Sequence, residues 1–136
     1  MNNKDEIRTL LTELLLSKAD FVFLFGSWAK ENAQIRPESD VDCGAFFNVT
    51  ALQEQSLYDI TERFEIISGR KLDLICLNTA DIIIASQIVA TGEVIFSHSK
   101  ERLNAYQALV MSRYFDFKQS RKIIENHILV RPKYGQ

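Results

Sequence analysis

Apolar positions along the chain follow two rhythms. Between Asn3 and Leu15 they recur at helical spacing: Ile7, Leu10, Leu11, Leu14 and Leu15 form one stripe, with Arg8, Thr12 and Glu13 opposite. Asn3 with Glu6 three residues later is a capping-box signature at the start of that helix. Phe21-Val22-Phe23-Leu24-Phe25 then runs apolar without alternation, which marks a strand buried on both faces. It stops at Gly26-Ser27, and Ser27 is placed to cap a short helix through Trp28-Ala29-Lys30-Glu31-Asn32. Ala33 to Ser39 reads as a loop, since Pro37 excludes regular helix. A second strand spans about Asp40 to Phe47, and alternation puts Asp40 and Asp42 on one face with Val41 and Cys43 on the other. Thr50 with Gln53 gives another capping box, followed by Leu57, Ile60, Phe64 and Ile67 at helical spacing and a stop at Ser68-Gly69. Lys71 to Leu77 reads as a third strand, interrupted by Asp73. Asn78-Thr79 is placed to cap a helix from Ala80 to Ala90, with Gly92 just past its end. Glu93 to Phe96 makes a short fourth strand. A long helix begins near Lys100, its inner face marked by Leu103, Tyr106, Val110, Tyr114 and Phe117.

This alternation of helices and strands predicts an α/β domain built on one central sheet of about four strands flanked by helices. The 136 residues suit a single domain, 1–136, with a core over about 4–97 and a C-terminal helical segment over about 99–130. Hydrophobic residues make up 46% of the chain, enough for a sizeable core. The net charge of −2 lacks the basic surplus that phosphate-backbone binding favours, so no direct nucleic-acid partner is expected. Cys43 and Cys76 lie in apolar runs outside any Cys-x-x-Cys pattern and read as reduced core residues. The opening Met1-Asn2-Asn3-Lys4-Asp5 carries no apolar signal segment, and no apolar run approaches a membrane span. A cytoplasmic protein without a membrane partner is the expectation.

The candidate chemistry lies where the strands end. Asp40 and Asp42 share a strand face, and Asp73 stands on a neighbouring strand. Hard cations take oxygen ligands, and two metals a few Å apart can stabilise both the attacking and the leaving oxygens of a phosphoryl displacement. A third carboxylate can complete a metal site and take the proton of an attacking hydroxyl. A Gly-Ser turn opening a helix supplies backbone N–H groups and close approach for phosphate. Each part alone has a plain structural alternative: a common turn, a solvated acidic pair, or an aspartate on the solvent face of an edge strand. Together and in this order the set is far more specific.

Gly26-Ser27, a loop, Ser39-Asp40-Val41-Asp42 and a strand carrying Asp73 resemble the nucleotidyltransferase signature of the DNA polymerase β superfamily. The match is to its minimal nucleotidyltransferases, the small stand-alone MNT antitoxins (the MntA-like protein adenylyltransferases) paired with HEPN-domain ribonuclease toxins. Trp28-Ala29-Lys30 resembles the x-Ala-Arg/Lys that follows Gly-Ser there, and Arg36-Pro37-Glu38-Ser39-Asp40 resembles Arg-Pro-Asp-Ser-Asp. Glu31 stands where Gly is common in the family and is expected to point to solvent. The resemblance implies a nucleotidyltransferase fold with a mixed sheet. It implies that Asp40, Asp42 and Asp73 hold Mg²⁺, as a pair of ions, and that Asp73 serves as general base. It implies that Gly26 and Ser27 bind the triphosphate of ATP. It further implies an antitoxin of a type VII-like pair that moves AMP onto a tyrosine hydroxyl of its HEPN toxin, the two forming a hetero-oligomer. Two other functions fit parts of the pattern: a non-catalytic antitoxin that neutralises by binding, and a small-molecule nucleotidyltransferase.

Four further features keep alternative readings. Lys30 and Arg36 either touch phosphate or are ordinary surface charges. Trp28 either stacks on a base or packs against the sheet, and packing is favoured. Tyr106, Tyr114, Phe115 and Phe117 either cap the sheet or form part of a contact surface.

Overall fold

The structure, a computed structural model, describes residues 3–29, 39–54 and 57–130, with side chains up to 127. Helix α1, Lys4–Leu15, starts where Asn3 accepts a hydrogen bond from the Asp5 N–H at 2.7 Å and buries Ile7, Leu10, Leu11 and Leu15. Strand β1, Ala19–Phe25, is covered on both faces, as its unbroken apolar run predicts. A 3₁₀ turn, Gly26–Ala29, follows at once. Ser27 therefore lies inside that turn rather than capping it, because the chain already bends at Gly26 with φ +72°.

Strand β2, Val41–Phe47, leads into helix α2, Val49–Glu54, and helix α3, Leu57–Ser68. Asn48 caps α2 by accepting from the Ala51 N–H at 2.8 Å, so the cap lies two residues before the expected Thr50. In α3 the buried row is Ile60, Phe64 and Ser68, while Ile67 is exposed. Spacings of four from Ile60 land on Ser68, and Ile67 falls just off the covered side. Gly69, at φ +74°, ends the helix as expected.

Strand β3 is Leu72–Cys76, helix α4 Ile82–Thr91, strand β4 Glu93–Ser97 and helix α5 Lys100–Val130. The cap of α4 is Asp81, which accepts from the Ile84 N–H at 2.9 Å, not Asn78-Thr79. Asn78 has another task. Its side chain accepts from the Phe47 N–H at 2.8 Å and donates to the Phe47 carbonyl at 3.0 Å, so it continues the β2–β3 ladder beyond the end of β3.

The four strands form one mixed sheet in the order β3-β2-β1-β4. β1 is antiparallel to β2 and β4, while β2 and β3 run parallel. One face carries Val22, Leu24, Val41, Cys43, Ala45 and Leu72 into a core with α1 and α3. The other carries Phe21 and Phe23 into a second core with Ile88 of α4 and Leu103 of α5. Lys4 at 2.8 Å and Arg8 both pair with Glu93, which ties the start of α1 to β4. These pairings hold the Glu93 carboxyl below its usual range, the Lys4 hydrogen bond first among the causes.

Of the expected inner face of α5, Leu103 and Val110 are buried and Tyr106 and Tyr114 half-buried, but Phe117 is exposed. The domain ends near Val110, and from Met111 to His127 the helix stands largely free of it among the described residues. Among the described residues no helix is long and apolar enough to cross a membrane.

Candidate nucleotidyl-transfer site

β1 delivers Gly26, β2 delivers Asp42 and β3 delivers Asp73 to one end of the sheet. The register is specific: Asp42 lies across from Phe25 on one side and from Asp73 on the other. Residues paired in register on neighbouring strands share a sheet face. The two carboxylates are therefore side by side on the α4–α5 face. Gly26 closes the arrangement. A Cβ built on it would lie 2.3 Å from Oδ2 of Asp42. Its φ of +72° also disfavours any side chain. The glycine thus gives the Asp42 carboxylate the space it occupies.

Asp42 is half-buried and Asp73 exposed on the edge strand. The plain alternative for Asp73, a solvent-facing position on an edge strand, is thus correct as to exposure, and the register still places it against Asp42. Asp40 falls one residue before β2, not inside it, and is also exposed. The ladder reaches up to it, since the Val41 N–H donates to the Lys71 carbonyl at 2.9 Å.

The electrostatics show what is crowded here. The Asp42 carboxyl is pushed above the ordinary aspartate value, first by burial, then by the charges of Asp73 and Asp40 and by a hydrogen bond with Asp73. Like charges gathered at a strand end are relieved by a cation, and carboxylate oxygens suit a hard divalent one. Among the described residues, no group of three or more His, Cys, Asp or Glu side chains is gathered tightly enough to hold a metal as it stands. The donors fit such an ion in kind, with Asp42 and Asp73 as the closest pair.

Ser27 is half-buried in the turn beside Gly26. Trp28 is fully buried in the core, so packing prevails over base stacking. Lys30, Glu31 and Arg36 lie outside the described residues. Sequence reasoning passed over Arg70, which is buried with its guanidinium carbon over the Trp28 ring, 4.8 Å from the ring centre. The signal available was its place between the helix stop at Gly69 and the strand bearing Asp73. A cavity of about 510 Å³ over Phe21, Phe46, Leu77 and Tyr106 lies at the opposite end of β1 from this site, with Arg102 and Arg113 among its lining residues.

The sequence profile described as polymerase beta, nucleotidyltransferase matches residues 6–101, from α1 through the start of α5. The chain belongs to that nucleotidyltransferase family. Its matched segment contains every residue of the site just described. No curated protein matches the chain. Among solved structures, a toxin–antitoxin with AMP-PNP matches at 20% identity and TM-score 0.70, over 93% of this chain and 98% of that one. The tri-AMPylated HEPN toxin of Shewanella oneidensis in complex with MNT antitoxin matches at 16% identity and TM-score 0.70, over 93% and 99%. The toxin–antitoxin MntA–HepT matches at 17% identity and TM-score 0.64, over 93% and 96%. At these identities the likeness is one of fold. It extends past the family profile, over 93% of this chain.

Proposed function

We propose that this nucleotidyltransferase is a Mg²⁺-dependent protein adenylyltransferase that moves AMP from ATP to a tyrosine hydroxyl of a HEPN-domain ribonuclease toxin, and so acts as its antitoxin in a cytoplasmic pair. One observation carries the chemistry: Asp42 and Asp73 stand in register beside a left-handed Gly26, in a fold of the nucleotidyltransferase family. The partner and the nucleotide draw support from the folds it resembles, one solved with AMP-PNP and one with a tri-AMPylated toxin.

The roles follow from placement. Gly26 and Ser27 take the triphosphate, where the first N–H groups of a helical turn lack partners within it. Asp40, Asp42 and Asp73 are the residues to hold Mg²⁺. When bound, Mg²⁺ supplies neutralising charge to the polyphosphate and to its departing end. Asp73, exposed on the edge strand, is the carboxylate open to an incoming protein acceptor and accepts the phenolic proton. The tyrosine oxygen bonds to the α-phosphorus, the bond to the β-phosphate bridging oxygen breaks, and pyrophosphate leaves.

The test is transfer of α-labelled AMP with Mg²⁺ and the co-encoded partner. Label on a partner tyrosine is expected, and Asp40→Ala/Asp42→Ala should abolish it while the complex still forms. An assembled complex that takes no label sinks the proposal.

A second reading, neutralisation by binding alone, is favoured by the exposed apolar residues Ile83, Ile84, Phe115, Ile123 and Ile124 on α4 and α5. It predicts that the aspartate substitutions still neutralise the toxin in cells. A small-molecule nucleotidyltransferase would use the same carboxylates and label a soluble acceptor without the partner.

A further inference from the structure

The Gly26–Ser27 turn and the Asp40–Asp42 segment reach the site from separate parts of the chain, so their spacing depends on what holds both. Trp28, next to Ser27, is fully buried and shares a core with Val41 and Leu72. Its indole N–H has no hydrogen-bond partner among the described residues, so the ring is held by what packs on it. Arg70 packs on it, with the guanidinium carbon 4.8 Å from the ring centre. The same guanidinium donates from Nη1 to the carbonyl of Ser39 at 3.3 Å, one residue before Asp40.

Arg70 is 7% exposed, and its backbone is fixed in turn. Its N–H donates to Ser68 Oγ at 3.0 Å, and that hydroxyl donates to the Phe64 carbonyl at 2.6 Å. Gly69, at φ +74°, turns the chain inward at this point. Two residues after Arg70 comes Leu72, and then Asp73. One side chain therefore touches the arm carrying Gly26 and the arm carrying Asp42, and stands on the arm carrying Asp73.

We propose that Arg70 is a positioning residue for nucleotidyl transfer: by clamping Trp28 and Ser39 together it sets the gap between the phosphate turn and the carboxylates. The proposal rests on the nucleotidyltransferase reading above. A planar guanidinium suits the task, since its face stacks on indole while an N–H at its edge reaches a carbonyl. An ammonium is a point charge on a flexible stem and does not reproduce both contacts.

The test compares the full chain with Arg70→Lys and Arg70→Met. Trp28 is the single tryptophan, so its fluorescence reports the clamp directly. Arg70→Lys is expected to stay folded and to change Trp28 emission. Its dissociation constant for MgATP should rise about tenfold or more, with a matching loss in the rate of AMP transfer. Arg70→Met should lose at least as much, and if it fails to fold, Arg70→Lys decides. Wild-type affinity in folded Arg70→Lys overturns the proposal. So does a fall in melting temperature alone, because a purely structural residue lowers the folded fraction and leaves the affinity of that fraction unchanged. If the wild type binds MgATP but labels no partner, the proposed acceptor is wrong and the affinities still decide the role of Arg70. If the wild type does not bind MgATP, both proposals fall.

Discussion

At the scale of single residues, the site is organised by one missing side chain and one crowded carboxylate. Gly26→Ala places a Cβ 2.3 Å from Oδ2 of Asp42 in a left-handed backbone. The strain costs about 1–2 kcal/mol. Displacement of the carboxylate should weaken Mg²⁺-dependent ATP binding about tenfold or more, as calorimetric titration would show. Asp42 carries the pH dependence. Its carboxyl is harder to ionise in the folded chain than in the unfolded one, through burial and then Asp73 and Asp40. The resulting penalty is absent in acid, where Asp42 is protonated in both states, and grows as pH rises above the ordinary aspartate value through the raised one. In EDTA, Asp42→Asn is therefore expected to melt above the wild type by a margin that widens as pH rises through the Asp42 titration. A margin that stays flat with pH refutes this account. The same substitution should abolish AMP transfer, which separates the stability of the empty fold from its activity.

Among the elements, the parallel β2–β3 pair matters most, because its register sets Asp42 against Asp73. Asn78 extends that pair with two hydrogen bonds to the Phe47 backbone. Asn78→Ala leaves the N–H and carbonyl of Phe47 without these partners and should cost about 1–3 kcal/mol in urea unfolding. Asn78→Asp keeps the acceptor for the Phe47 N–H but sets a carboxylate oxygen against the Phe47 carbonyl, so it should not recover the loss. The turn chemistry around the helices was only partly legible. Asn3 caps α1 as its spacing predicts, but Asn48 and Asp81 take the places of the expected Thr50 and Asn78-Thr79. Several polar residues compete at each helix start, and the one that caps directly precedes the first helical residue and accepts from an N–H of the first turn. Asn78 could not serve as a cap because the sheet had already engaged it.

At the scale of the molecule, the domain and its last helix have unequal support. Leu103 and Val110 of α5 are buried and Tyr106 half-buried, whereas the side chains from Met111 to His127 are exposed or, at Tyr114, half-buried. Ending the chain after Phe117 should shift the melting temperature by no more than about 3 °C and leave MgATP affinity unchanged. A large drop would show that the distal helix supports the domain. Of the aromatic segment, Tyr106 packs against Phe21 and Phe46 of the sheet, while Phe115 and Phe117 are exposed and leave the contact-surface reading open for that end.

The sequence by itself determined the α/β class and most of the elements, and singled out three aspartates as candidates. Periodicity reports which side of an element is covered, and an acid inside an apolar strand is conspicuous because burying it unpaired is unfavourable. Tertiary structure decided what depends on contacts between distant segments. It set the strand order, the pairing of Asp42 with Asp73, the exposure of Asp73 on an edge, and the closeness of Gly26 to the Asp42 carboxylate. Arg70 shows the limit most clearly. Its place just after the helix stop at Gly69 is a weak local hint, and its meaning comes from Trp28 and Ser39, 42 and 31 positions away in the chain, meeting at one guanidinium.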